Sequence, residues 1–363
     1  AHSYVLPDEA LAQVVLPTAQ ELERSAAFHF QRGTELYRQG KLPESVAAYR
    51  QCVNLDPTFP NARYNLGVAL GDVERYDEAI TCLQQVVQAE PERAEAHNSL
   101  GYLCSRQRQP RQAVSYYERA IELHPQYAQA HFNLGMTLLQ LGDYERGLVE
   151  YDWRWKTGQF TPFQCPHPQW DGSPIPDKTL LIHTEQGAGD AVQFARYLPL
   201  AAQRCKKLIL VCRGDLLPLF ATIPGIAQVR EAGTINVSEF DTYVPLLSLP
   251  RLFGATLATI PAEIPYLDVQ AIRRRKGAEA SLSLPPSSHL KVGIVWAGSP
   301  THKNDRHRSC ALQEFIPVLQ TPGAAFYSLQ KGERSQELQQ LPPELRVQDL
   351  EAALHDFGDT AIL

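Results

Sequence analysis

Several things are missing from this sequence, and each absence narrows what the protein does. No stretch approaches 18 consecutive apolar residues, so no membrane-spanning helix is expected, and no basic-then-apolar leader stands at the start. There is no excess of positive charge. The net charge of -6 argues against a strongly basic, whole-surface nucleic-acid binder and leaves room only for small basic patches. The seven cysteines, at 52, 82, 104, 165, 205, 212 and 310, contain no C-x-x-C pair, and three fall at apolar positions of helical segments. Buried free thiols in a reducing, cytoplasmic compartment fit that pattern better than a disulfide framework. His302, Asp305 and His307 have no standard ligand spacing, so no metal is expected.

What is present is an ordinary globular composition, 44% apolar and 20% charged over 363 residues, enough for two or three domains. The chain begins at Ala1 rather than at methionine, consistent with removal of an upstream piece. Residues 8–24 read as a leading helix within a 1–25 segment.

The first half is a lattice. Glycines recur at 33, 67, 101 and 135, a spacing of 34, and prolines recur with the same spacing at 57, 91 and 125. Ser45, Ala79, Ala113 and Gly147 mark a third row of small residues, with Tyr76 and Tyr144 three positions before two of them. Each unit holds two amphipathic runs, such as NARYNLGVALGD and YDEAITCLQQVVQA. Small residues let the two helices of a hairpin approach closely, and the proline stops the second helix. One hairpin cannot bury its apolar face, so neighbours must stack into a solenoid.

These units resemble tetratricopeptide repeats, four of them in register within residues 26–159. The resemblance implies a concave groove lined by the first helix of each repeat. Carried onto this chain, the groove positions are Tyr64, Val68, Asn98, Tyr102, Arg106, Phe132, Met136 and Gln140. Each aromatic among them is alternatively a packing residue. As a set they offer a peptide or sugar-chain surface without the dense Arg/Lys cluster that captures a C-terminal carboxylate. Trp153 and Trp155, with Trp170 of the proline-rich linker 160–177, are expected to glue the solenoid to the next domain.

After Lys178 the period changes to strand, loop, helix. TLLIHTE, KLILVC, IAQVR and FDTYVPL read as strands, and DAVQFARYLPLAAQR as a helix, giving an α/β domain over 178–276 with a mainly parallel sheet. A linker at 277–289 leads to a second α/β unit, 290–363, with strands KVGIVWAG and AAFYSLQK around the helix ALQEFIPVLQ. That unit is too short for a complete doubly wound domain.

Two loops carry chemistry. In EQGAGDAVQF, Gly187 and Gly189 permit tight dihedral angles and close ligand approach, while Asp190 either caps the helix or acts as a general base. The third glycine of a dinucleotide fingerprint is missing, and no GKS or GKT is present after it, so a P-loop is excluded. Glu185 either faces substrate or bonds its own loop, and His183 reads as a strand-end core histidine. In SPTHKNDRHRS, Ser299, Lys303, Arg306 and Arg308 stand at a strand end where a diphosphate or other anion would sit, or else on a solvated surface loop. Ser309 is a candidate helix cap. Lys331 is a second candidate anion contact.

The stretches PQWDGSPIPDKTLLIHTEQGAGDAVQFARYLP, FDTYVPLLSLPRLFG with TIPAEIPYL, and VGIVWAGSPTHKNDRHRS with FYSLQKG resemble the GT-B glycosyltransferases of the heptosyltransferase-like group, bacterial proteins fused to tetratricopeptide repeats. The fold class implied is a helical solenoid followed by a GT-B-like pair of α/β domains, the second incomplete. The resemblance implies a nucleotide-sugar donor as substrate, no permanently bound cofactor, Asp190 as the base for an acceptor hydroxyl, and Lys303 with Arg306 or Arg308 neutralising the diphosphate. Gly187, Gly189, Ser299 and Lys331 would complete the donor contacts. It also implies a further strand, loop and helix beyond DFGDTAIL, whereas the sequence stops at Leu363, so an incomplete donor pocket is expected. Two functions from different classes are consistent with these residues: sugar transfer to a protein or glycan acceptor recruited by the repeats, or a non-catalytic scaffold holding a protein or peptide partner in the groove. No nucleic-acid partner is expected.

Overall fold

A computed structural model describes residues 25–277, 289–300 and 305–363. The predicted leading helix at 8–24, most of the second linker, and Lys303 lie outside the described residues. The chain divides into two compact units, with the boundary between Phe163 and Gln164 falling inside the predicted first linker; Thr256–Ala258 group with the first unit.

The first unit is the helical lattice. Its helices pair as α1 (Ala26–Arg38) with α2 (Leu42–Leu55), α3 (Ala62–Asp72) with α4 (Tyr76–Ala89), α5 (Ala94–Arg106) with α6 (Pro110–Leu123), and α7 (Ala128–Leu141) with α8 (Tyr144–Tyr151). The glycines stand where paired helices cross. A Cβ added at Gly33 would lie 2.7 Å from the Tyr49 ring, and one at Gly101 would lie 2.6 Å from the Tyr117 ring, so no larger residue fits without a shift. Ser45, occupying an alanine position of the lattice, donates its hydroxyl to the Gly33 carbonyl at 2.8 Å. The core is continuous across repeats: Tyr49, Leu66, Leu70, Leu83, Leu100 and Leu103 share one buried cluster. Stacking therefore completes what a single hairpin leaves open. Helix α3 touches α5, and α5 touches α7, so the first helices form the closely spaced inner row. A 3-10 turn at Asp152–Lys156 packs on α7 and ends the stack.

The second unit contains two parallel sheets. In the first, β1 (Ile175–His183), β2 (Cys205–Cys212), β3 (Gln228–Glu231) and β4 (Thr242–Pro245) lie in the order β3-β2-β1-β4. Leu180, Leu181 and Ile182 of β1 face Leu208, Ile209 and Leu210 of β2, and all six are at most 1% exposed. Such unbroken apolar runs are what a sheet covered on both faces requires. In the second, β5 (Leu290–Ile294), β6 (Ala324–Ser328) and β7 (Val347–Asp349) lie in the order β5-β6-β7.

The boundaries differ from the sequence reading in physically readable ways. Strand β1 begins at Ile175, inside the predicted linker, because Ile175 pairs with Cys205 ahead of an irregularity in the register. The predicted helix DAVQFARYLPLAAQR is broken into α9 (Ala188–Phe194), a 3-10 turn at Ala195–Tyr197 and α10 (Leu198–Ala202). ALQEFIPVLQ likewise becomes a 3-10 turn at Leu312–Phe315 followed by α14 (Ile316–Leu319). Pro199 and Pro317 lack the amide that a continuous ladder needs, so each starts a new short helix. Three further short helices, α11 (Leu217–Phe220), α12 (Leu249–Leu252) and α13 (Val269–Lys276), come after β2, β4 and the loop beyond α12; α15 (Phe357–Ile362) closes the described chain. Among the described residues no helix is long and apolar enough to cross a membrane.

Candidate functional site

Two places have the geometry of a site, one in each unit. In the solenoid, the inner row of first helices carries the predicted groove residues, and the structure sorts them. Tyr102 is 44% exposed and Met136 is 50% exposed, large apolar side chains left uncovered on α5 and α7. Val68 is half-buried on α3 and Gln140 exposed on α7. Tyr64 lies beneath the Arg93 guanidinium, 4.2 Å from its ring centroid, with its hydroxyl 3.3 Å from Ser99 Oγ. Phe132 packs on Tyr151, ring centroids 5.7 Å apart. Arg106 is committed to its own repeat boundary, donating to Tyr76 Oη at 3.3 Å and standing 3.9 Å from Glu74. Asn98 is buried rather than exposed, its carbonyl oxygen accepting from Asn133 Nδ2 at 3.0 Å. It shapes the groove floor and is not an open contact.

Polar groups line this floor. Gln129 Nε2 donates to Asn133 Oδ1 at 2.9 Å, extending the Asn133–Asn98 pair into a row of carboxamides. At the opposite end the Tyr37 hydroxyl donates to the Asp72 carboxylate, and burial, then that bond, push the phenol well above its ordinary pKa. Burial also raises the Tyr102 phenol, against the pull of Arg106. These tyrosines are neutral hydrogen-bonding rings at physiological pH.

Three tryptophans have aromatic or hydrogen-bond contacts inside the unit that holds them. Trp153 stacks on His131 at 3.8 Å and 4°, with Lys156 Nζ 3.8 Å from its ring centroid. His131 is held by Glu150 at 2.5 Å through Nδ1 and by the Pro125 carbonyl at 3.1 Å through Nε2. Trp155 packs on Phe160, and Trp170 is buried in the α/β unit, donating to the Ser173 carbonyl at 2.8 Å. Trp153 and Trp155 are both partly buried at the end of the solenoid.

In the α/β unit, a cavity of about 470 Å³ opens at the carboxyl ends of β5 and β6. Its walls include Ala297 to Pro300, Leu329 to Lys331, Leu354 to Phe357 and Thr360, with Asp215 from the loop after β2. The volume suits a small molecule, and strand ends of a parallel sheet are where such ligands bind. Gln330 shapes it. This residue is 3% exposed, and its Oε1 accepts from the Trp296 and Ala297 amides at 3.2 and 3.0 Å while Nε2 donates to the Lys331 carbonyl at 3.0 Å. Lys331 lines the cavity, with its ammonium donating to the Leu354 carbonyl. Ser299 lines it too.

Other predicted contacts lie elsewhere. Arg306 donates to His307 at 3.1 Å, and Arg308 faces Asp305 at 3.7 Å, so neither is among the residues lining the cavity. Arg308 crosses directly over Gly298, where any Cβ would collide with the guanidinium. Ser309 does not cap a helix. Its hydroxyl donates to Asp305 at 2.6 Å and accepts from the Gly298 amide at 2.9 Å, tying the basic loop back to the strand end.

The glycine loop also departs from expectation. The residue with the left-handed backbone is Gln186, at φ 66°, whereas Gly187 is extended at φ -79°. Nothing lies within 4 Å of a Cβ built on Gly189, so the space there is open. Asp190 Oδ2 accepts from the Gly187 amide at 3.1 Å, a one-way bond at the start of α9. It is not among the cavity-lining residues. Glu185 Oε1 accepts from the Leu247 amide at 3.1 Å, the loop bond of its two alternatives, and His183 is buried beside Tyr243.

Gln330, His355, Asp356 and Asp215 were not legible as site residues. The one local signal was the D-x-x-D spacing of Asp356 and Asp359, a helix start whose first carboxylate accepts from the Asp359 amide at 3.0 Å. Lys276, at the end of α13, reaches both acids: Nζ lies 2.8 Å from Asp356 and 2.5 Å from Asp359, and Arg273 donates to the Ile362 carbonyl at 2.6 Å. This clasp fixes the cavity wall from outside. Burial alone would raise the Asp359 carboxyl, but Lys276 and the His355 amide hold it below the usual range. Lys276 is correspondingly raised by its two partners against burial.

Comparison with known proteins places the first unit. Models of the tetratricopeptide repeat match residues 33–73, 58–124 and 105–154, so the solenoid is built of tetratricopeptide repeats. Protein FlbA of Caulobacter vibrioides is 28% identical over 248 residues, covering 61% of this chain and 41% of that protein. Residues 1–159 are less than half of the chain, so that match continues into the α/β half. The chain spans well under two thirds of that relative's length. Among solved structures, MamA from Desulfovibrio magneticus RS-1 is 22% identical with a TM-score of 0.36 over 39% of this chain and 82% of its own. YrrB, described as a TPR protein with an unusual peptide-binding site, is 25% identical with a TM-score of 0.33 over 38% of this chain and 71% of its own.

Proposed function

We propose that the tetratricopeptide repeats recruit a polypeptide partner, which lies extended along the inner row of first helices. The observation that carries this reading is the pair of large apolar side chains, Tyr102 and Met136, left exposed beside a floor of carboxamides and neutral phenols. Uncovered apolar anchors gain binding energy on burial, about 25 cal/mol per Å². Carboxamides satisfy both the N–H and the C=O of a main chain without demanding a charge. The test is selection of peptides from a random library, with titration of the selected peptides against the protein and its Tyr102→Glu/Met136→Glu variant. Binding at least about ten-fold weaker in the variant, about 1.4 kcal/mol, is expected. Selected peptides that bind both forms equally would contradict the reading.

A second reading is favoured by one observation in the α/β unit: the cavity at the carboxyl ends of β5 and β6, with Ser299 and Lys331 in its wall. It supports a glycosyltransferase-like site for a nucleotide sugar, in which Lys331 turns from the Leu354 carbonyl to a diphosphate. Asp190 would serve as base once its cap bond to Gly187 is released, and the basic loop holding Lys303, Arg306 and Arg308 would supply charge. Calorimetric titration with a panel of nucleoside diphosphates is expected to show saturable binding that Lys331→Ala weakens. No heat above dilution for any of them would sink this second reading and leave the first intact.

A further inference from the structure

The inner row of the solenoid is already occupied at one end. After the 3-10 turn at Asp152–Lys156 the chain reverses. Gly158 takes φ 75°, Thr157 Oγ1 donates to the Arg154 carbonyl at 2.8 Å, and the same oxygen accepts from the Gln159 amide at 3.2 Å. The reversal lays the next two side chains on the last repeat. Gln159 Nε2 donates to Gln129 Oε1 at 2.7 Å, and the Phe160 ring meets the Phe132 ring edge-on at 5.8 Å.

Each contact repeats the chemistry of the floor it joins. Gln159 donates to Gln129, Gln129 to Asn133 and Asn133 to Asn98, so the segment's own carboxamide becomes the outermost member of a row with a single donor direction. Phe160 adds its ring to an aromatic group made by Phe132, Tyr151 and Trp155, with Trp155 6.3 Å away. The seat is shallow: Gln159 is exposed and Phe160 only half-buried. Tyr151, by contrast, is buried beneath.

We propose that Gln159 and Phe160 act as a built-in ligand of the fourth repeat, and that the solenoid takes partner peptides in which a carboxamide residue is followed by an aromatic one. The inference rests on the peptide-binding reading of the groove and adds the chemistry of its occupant and a competition that regulates it. A tethered segment is present at an effective concentration on the order of millimolar, so a partner must outbid it or bind to the earlier repeats alone. Removal of the two side chains opens the subsite without touching the floor.

The probe is a fluorescein-labelled peptide of the segment's own sequence, TGQFTPF, titrated by anisotropy against the full chain. The variant Gln159→Ala/Phe160→Ala is expected to bind it at least about ten-fold more tightly than the unaltered protein. Adding Phe132→Glu to that variant is expected to abolish the gain, and the far-ultraviolet circular dichroism melt of each form establishes that it is folded. Equal binding by the unaltered protein and the double variant overturns the proposal, as does no binding by either at about 1 mM peptide. If library-selected peptides still depend on Tyr102 and Met136 while the double variant shows no gain, the self-occupancy fails and the peptide-binding reading stands. If those peptides ignore Tyr102 and Met136, the reading itself has failed.

Discussion

At the scale of single residues, closeness of approach and burial decide most of what the chain does. Gly101 sits where a methyl group would press on the Tyr117 ring at 2.6 Å. Gly101→Ala is therefore expected to cost about 1–3 kcal/mol by overpacking, read as a lowered midpoint in thermal or urea unfolding. An unchanged midpoint would mean that the helix crossing yields freely. The cysteines divide by burial in the same way. Cys52 and Cys104 are buried and their thiols raised chiefly by that burial, and Cys212 is pushed up to about 12 by burial, with Asp215 and Glu231 adding to it. Cys165 and Cys310 are partly exposed. Timed iodoacetamide labelling of the native protein at pH 8, read by peptide mass spectrometry, should modify Cys165 and Cys310 well before Cys52, Cys104 and Cys212. The glycine spacing made its pattern legible because it reflects the packing of a repeating hairpin. The cysteines, read together as buried thiols, divide into buried Cys52, Cys104 and Cys212 and partly exposed Cys82, Cys165, Cys205 and Cys310. Gln330 was illegible. Its importance comes from two amides 34 and 33 positions away, which only the pairing of β5 with β6 brings to it.

At the scale of elements, local chemistry located the helices of the α/β half better than it set how far they run. The prolines at 199 and 317 were visible in the sequence, yet each divides what hydrophobic spacing joined into one helix. In the glycine loop the flexible residues were legible, and the strained position was not: Gln186 takes the left-handed backbone while its glycine neighbour stays extended. The clasp of α13 on α15 was wholly hidden, since Lys276 and Asp356 are 80 positions apart. It carries a pH prediction. The Asp359 carboxyl is held below its unfolded value, so its stabilisation is complete above about pH 4 and is lost as pH falls through the folded value. The Lys276 ammonium is raised, so its share is complete below about pH 10 and is lost as pH climbs through its folded value. Lys276→Met leaves two acids without their partner and is expected to cost about 2–3 kcal/mol near pH 7. The deficit should shrink as pH falls through the lowered folded value of the Asp359 carboxyl, where its ion pair with Lys276 is lost. Equal stability of the two proteins across pH 4–9 would show that the clasp is not a structural bond.

At the scale of the whole molecule, the solenoid was written plainly in the sequence and the α/β half only in outline. A 34-residue lattice repeats the same packing demand four times, so its period survives variation at any one position. The sheets lack such redundancy, and three-residue β7 has too few positions to show alternation. The functional surfaces obey the same rule. Tyr102 and Met136 came into view through the resemblance to tetratricopeptide repeats, whereas the seating of Gln159 and Phe160 depends on a reversal at Gly158 that no repeat pattern shows. The peptide-binding reading lays an extended partner along the inner row of first helices. Its most direct test is amide hydrogen exchange of the full chain with and without a saturating library-selected peptide. Protection concentrated in α3, α5 and α7, with α4 and α6 unchanged, is the predicted result. Protection confined to the α/β half, or spread evenly over both helices of each repeat, would contradict it.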